Sequence, residues 1–216
     1  MKQNIKQEIM DTAKRLFIKK GFHDTSMRDI AAALNISVGN LTYHYKKKED
    51  LIEAILLEDH QRYKKPELLC SLGDLNDLLR RSTTQRASRP YYYRYYNQLA
   101  QMCPAIYEMQ VSVLNDLSDI LTNSFQNFVS SGILKKDFLQ EYDKIIRVIM
   151  TIMVYDLPDF YQTSEAEQDF STLKCVWSII IPCLTEQGYK EYQLLCEQNL
   201  QDIAAGRPLT SFDSIL

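Results

Sequence analysis

The sequence predicts an all-α chain in which a small basic head precedes a larger acidic helical body, and three observations carry that prediction. No stretch sustains the apolar–polar alternation of a strand, whereas apolar residues recur at three- and four-residue spacing along most of the 216 residues. Gly and Pro, six of each, fall mostly between long periodic segments, where helices must stop. Charge is also divided. Residues 1–48 hold ten Lys and Arg against four acids, a net +6, while the other 168 hold 15 bases against 24 acids, a net −9. A basic end on an acidic body suits a chain of which only that end approaches a polyanion.

Composition excludes several classes. With 45% hydrophobic and 25% charged residues the chain reads as an ordinary globular protein, long enough for a small domain and a larger one. No run approaches the roughly 20 apolar residues of a membrane span. The opening MKQNIKQEIMDTAKRLF mixes charge with apolar residues at helical spacing, unlike a signal peptide, so a cytoplasmic location is expected. Five cysteines without a CxxC pair, and His23, His44 and His60 without ligand spacing, give no metal site or disulfide framework. There is no Gly-rich phosphate loop, no GxSxG and no nucleophile with a base, so neither catalytic residues, a cofactor nor an enzyme is expected.

In chain order, Asn4 and Gln7 can box the start of a first helix that carries Ile5, Ile9, Ala13, Leu16 and Phe17 inward and ends at Gly21. It would brace the two short helices after it. Ser26 can cap a second helix, with Asp29 completing a weak capping box and Ile30, Ala31 and Leu34 sharing one face. Asn35 tolerates positive φ and so encodes the turn. Ser37 can cap a third helix from Val38 to about His44, with Leu41 and Tyr45 inward and Asn40, Tyr43 and His44 outward. Two short helices joined by a tight turn, the second polar-faced, have the helix-turn-helix layout, whose second helix fits the major groove. Spacing alone equally allows an ordinary small helical core. A fourth helix begins near Lys47 and carries Leu51, Ile52, Ile55 and Leu56 before Pro66. The expected domains are a helix-turn-helix head at 1–46, a connecting helix at 47–65 and an all-α body at 66–216.

The Gly21-Phe22 pair, TSMRDIA at 25–31, Gly39-Asn40-Leu41 followed by Tyr43-His44-Tyr45, and KKEDL at 47–51 together resemble the tetracycline-repressor (TetR/AcrR) family of bacterial regulators across roughly residues 5–58. The resemblance implies double-stranded DNA as partner, phosphate contacts from Ser26, Arg28 and Lys48, and base or sugar contacts from Val38, Gly39, Asn40, Tyr43 and His44. Ser37, Thr42 and Lys46 complete the expected DNA face. Two positions depart from the pattern. Thr42 stands where the family favours a Tyr that reaches the backbone, and Lys47 stands where it favours a small cap such as Ser, which would cost about 1 kcal/mol locally. Three adjacent cations, Lys46 to Lys48, nevertheless suit a phosphate backbone. The resemblance further implies a homodimer built through two late helices, a small effector, and repression at a palindromic operator. The alternative is an all-α interaction module whose head no longer binds DNA.

Beyond Pro66, helices are expected at about 74–87, 91–102, 105–131, 138–157, 165–187 and 189–204, with Pro182 interrupting the fifth. The run Tyr91 to Tyr96, YYYRYY, wraps all sides of a helix, so some rings must face a cavity or solvent. A mainly apolar effector is therefore expected among these helices, with Tyr92, Tyr96, Met109 and Trp177 as wall residues and Arg94 or Glu108 orienting a polar end. Ile145 to Val154 is apolar around nearly its whole circumference, and Trp177 to Ile181 is similarly broad; each can be core or a face for an identical subunit.

Overall fold

The structure, a computed structural model, describes residues 4–155 and 165–204, with side chains at 5–155 and 173–199. Among the described residues it is all-α, the only extended pairing being an isolated bridge between Leu134 and Leu184. Two compact units result, one from the chain up to Tyr63 together with Ala87–Ser112, the other from Lys64–Arg86 together with the chain from Val113 onward.

In the first unit α1 (Asn4–Lys20) stops where the sequence places its breaker, since Gly21 takes φ 90°. Its inner face, Ile9, Ala13 and Phe17, is buried. The capping role expected of Asn4 falls on a side chain outside those described, and Gln7 instead donates to Asp11 and Glu58. α2 (Met27–Ala33) begins at the Ser26 cap with Asp29 closing the box in return. Asn35, with φ 56°, is the one non-Gly residue at positive φ among the described residues, as the turn requires. α3 (Val38–His44) is capped by Ser37 and anchored by the fully buried Leu41, and Tyr45 is half-buried at its end. α4 (Lys48–Gln61) buries Leu51, Ile52, Ile55 and Leu56. The aromatic run does not form the continuous helix expected over 91–102. It divides into α6 (Pro90–Arg94) and α7 (Tyr96–Met102), with Tyr95 outside helical geometry between them. α5 (Leu72–Ser88), which precedes them, and α8 (Pro104–Ser130), which comes after, each contribute residues to both units.

The second unit has its own apolar core, drawn from Leu72, Leu75 and Leu79 of α5, Leu121, Phe125 and Phe128 of α8, Ile146 and Ile149 of α9 (Tyr142–Tyr155), and Val176, Trp177 and Ile180 of α10 (Glu165–Ile180). α9 starts four residues later than periodicity indicates, because Lys136–Phe138 forms a 3-10 turn instead. Nor is α9 buried on all sides. Ile146, Ile149 and Met153 are buried, but Val148 is 44% exposed, on a side of the helix that also carries the exposed Lys144, Arg147 and Thr151. Pro182 ends the expected 165–187 helix at Ile180, where a 3-10 turn Ile181–Cys183 takes over. α11 (Glu186–Ala204) then starts before Gly188 rather than after it. Gly188 sits inside that first turn for a reason of space, since a Cβ there would fall on the carbonyl oxygen of Ile133. The same carbonyl accepts the Thr185 amide at 3.0 Å, and the Thr185 hydroxyl accepts the Gly188 amide at 3.0 Å. Pro158, expected to separate helices, lies outside the described residues.

Candidate nucleic-acid interface

Each helix of the reader is fixed by a buried residue and a polar cap. Ile30 and Ala31 hold α2, Leu41 holds α3, and the hydroxyls of Ser26 and Ser37 each accept a backbone amide at 3.1 Å, from Asp29 and Asn40 respectively. With the inner face so anchored, the outer face stands in solvent. Val38, Gly39 and Asn40 are exposed, and Tyr43 is 85% exposed with its ring edge-on to His44 at 5.2 Å. Ser26, Arg28, Ser37 and Lys46 are exposed as well, while Thr42 and His44 are half-buried. Tyr43 thus offers a large amphipathic side chain beyond the helix surface, where a base edge or sugar could meet it. Thr42 does not offer its hydroxyl outward, because that group donates to the Gly39 carbonyl at 3.2 Å.

Lys47 and Lys48 are held differently. Lys47, at the N-cap of α4, is exposed and has no acceptor to cap with, so only the return bond exists, from its amide to Asp50 at 3.3 Å. Lys48 turns back instead. Its ammonium donates to the carbonyls of Phe22, of His23 at 3.2 Å and of Thr25 at 2.8 Å, and lies 4.4 Å from the centre of the Phe22 ring. Partial burial lowers its pKa from the ordinary Lys value, against the opposing pull of Glu49 and Asp24.

The turn between α1 and α2 is also gripped by the aromatic run. Tyr91 packs on Phe17 at 5.9 Å, Tyr95 meets His23 edge-on at 4.4 Å, and His23 shares a hydrogen bond of 3.2 Å with Gln98. Beneath it, the buried Asp59 of α4 receives Lys14 at 2.9 Å and Arg89 at 3.5 Å. Sequence reasoning did not single out Lys14, Asp59 or Arg89, yet one signal was present. Asp59 continues the apolar stripe Ile52, Ile55, Leu56, and an acid in such a stripe calls for buried cations.

Of the residues expected around an effector, Tyr92, Tyr96 and Met109 belong to the first unit and Trp177 to the second. Tyr92 and Tyr96 are buried with rings 5.4 Å apart, and the Gln110 amide donates to the Tyr96 carbonyl at 3.1 Å. Burial, above all, raises the Tyr92 pKa far from its ordinary value. Met109 is half-buried, and Arg94 and Glu108 are exposed. Trp177 is a core residue, 4.9 Å from the Tyr192 ring, with its indole N–H bonded to Asn76 at 3.2 Å. No group of three His, Cys, Asp or Glu among the described residues could hold a metal, and no helix there is long and apolar enough to cross a membrane.

A capped, solvent-facing α3 set on α2 by a left-handed turn, braced by α1, defines a helix-turn-helix DNA-binding domain. Residues 9–55 match the family described as bacterial regulatory proteins, tetR family, and the curated relatives that the chain resembles are HTH-type transcriptional regulators. The HTH-type transcriptional regulator QacR of Staphylococcus aureus is 29% identical over 149 residues, 67% of this chain and 70% of that protein. UidR of Escherichia coli is 40% identical over 60 residues, but the match covers only 31% of its length and 28% of this chain. A TetR-family regulator from Marinobacter aquaeolei shares the fold with a TM-score of 0.75 at 20% identity, covering 89% of this chain and 97% of that one.

Proposed function

We propose that this regulator binds a near-palindromic operator as a homodimer in the cytoplasm and represses transcription until a small, mainly apolar molecule binds it. The observation that carries the reading is the outer face of α3, where Asn40 and Tyr43 are exposed while Leu41 beneath them is fully buried. Phosphate contacts come from the start of α2, Ser26 and Arg28, and from the basic run at the start of α4; base and sugar contacts come from Val38, Gly39, Asn40, Tyr43 and His44. The exposed Val148 and Tyr155, one above the other on α9, support a second copy as their cover.

Effector binding belongs to the aromatic cluster of the first unit, with Tyr92, Tyr96 and Met109 as contacts. The supporting observation is that α6 and α7, which carry that cluster, also hold the α1–α2 turn through Tyr91, Tyr95 and Gln98. A ligand that displaces these rings changes how the reader is held, and by linkage DNA must then weaken the ligand equally. Selection of duplexes from a random library tests the proposal. Recovery of paired half-sites supports it, and no enrichment, with no binding to random duplex at low salt, favours a head that has lost DNA binding.

A further inference from the structure

We infer that Lys48 is a positioning residue that holds the α1–α2 turn in place, and that the phosphate contact expected of it passes to Lys46 and Lys47. The inference rests on the DNA-binding function proposed above and assigns its cations. An ammonium has three N–H donors, and here three carbonyls, those of Phe22, His23 and Thr25, take all of them. A phosphate oxygen could engage Lys48 only by displacing one of these, leaving a carbonyl of the turn without its partner. The Phe22 ring beneath the ammonium adds a further restraint.

The turn so held is the one that sets α2. Gly21 at φ 90° reverses the chain, and the buried Thr25 hydroxyl donates to the Gly21 carbonyl at 2.8 Å. Ser26 then opens α2 with its capping box. Lys48 thus ties the first residue of α4 to the segment from which Ser26 and Arg28 project. It acts on DNA through the placement of those two residues. Lys46 and Lys47, both exposed on the approach to α4, are left as cations able to reach a phosphate. Lys47 also accounts for the cap this position lacks, since a residue that cannot cap α4 supplies charge beside a helix start whose amides attract an anion.

Counterion release separates the two roles, because each neutralised phosphate contributes about 0.9 to the slope of log affinity against log salt on duplex DNA. The probe is the duplex enriched from a random library, titrated across KCl concentrations at a temperature where circular dichroism shows every variant folded. Lys46→Ala and Lys47→Ala should each lower the slope by about 0.9. Lys48→Met keeps the apolar stem over Phe22 but removes the three bonds, and should weaken binding roughly tenfold at every salt concentration with the slope unchanged. A role in stability alone would leave the affinity of the folded variant intact. Reductive methylation of the wild-type protein, read by mass spectrometry, avoids any folding defect: Lys48 should react slowly with or without duplex, and Lys46 and Lys47 quickly without it and slowly with it. A slope reduced by about one in Lys48→Met, unchanged affinity in that variant, or protection of Lys48 that appears only with DNA overturns the assignment. A wild-type protein that binds no duplex overturns the DNA-binding proposal itself.

Discussion

At the scale of single residues, polar atoms and glycines with no room around them make the sharpest claims. The Tyr91 hydroxyl is buried and has no hydrogen-bond partner among the described residues, so Tyr91→Phe removes an uncompensated polar group and leaves the ring on Phe17. Thermal unfolding should show that variant as stable as the wild type or slightly more so, and a loss above about 1 kcal/mol would mean that the hydroxyl is satisfied in solution. Gly188→Ala goes the other way. The Ile133 carbonyl occupies the space of the new methyl, and overpacking of that kind typically costs about 1–3 kcal/mol, to be read from the urea midpoint. On the reader, Asn40→Ala and Tyr43→Ala leave folding alone because both side chains lie in solvent, and they should relax sequence preference more than total affinity. Repeated selection with each variant checks this.

Among the elements, α4 shows a conflict between local stability and charge. Lys47→Ser would supply the missing side-chain cap and should stabilise the protein by about 0.5–1 kcal/mol, while removing one cation from the interface. A gain in melting temperature accompanied by weaker duplex binding is the expected pair of results. The short elements of the reader were legible because each is encoded locally: Ser26 with Asp29, Asn35, and Ser37 each specify a boundary by its own backbone chemistry. What local chemistry does not encode was misread. The break at Tyr95 accompanies that ring's contact with His23, 72 residues away in sequence, and the start of α11 before Gly188 depends on a carbonyl from a different turn. The three bonds of Lys48 were hidden for the same reason, since its acceptors lie 23 to 26 residues before it and no spacing rule joins them. Pro182 succeeded because a missing amide stops a helix wherever the rest of the chain goes.

For the molecule as a whole, symmetry and titration provide the tests. A two-fold dimer places its two α3 helices so that half-sites should be separated by about 34 Å or a small multiple of it, and sedimentation should report twice the chain mass. An unpaired half-site as the preferred target would count against the dimer. Stability should also fall at alkaline pH. Burial first, with Cys183 and Asp137 adding to it, pushes the Tyr142 pKa up to about 12, and its hydroxyl donates to the Lys135 carbonyl at 2.7 Å. Tyr192 is likewise pushed up to about 12, chiefly by burial. The folded state therefore favours the protonated phenols, so their contribution is intact below about pH 10 and is lost as pH rises from about 10 through 12. Urea midpoints across that range should decline, and Tyr142→Phe should flatten the decline.

The recruitment of Ala87–Ser112 into the first unit bears on how such a reader could be moved between proteins. A fragment cut at Tyr63 would keep every residue proposed to contact DNA, yet it would strip Tyr91 from Phe17, Tyr95 from Phe22 and His23, and Arg89 from Asp59. Such a graft would carry the whole recognition surface on a scaffold with an uncovered aromatic face and an under-neutralised acid. It should expose dye-binding apolar surface and melt without cooperativity. A chimera intended to give another body this operator preference would have to take its exchange points from beyond residue 112, carrying α6 and α7 along with the reader.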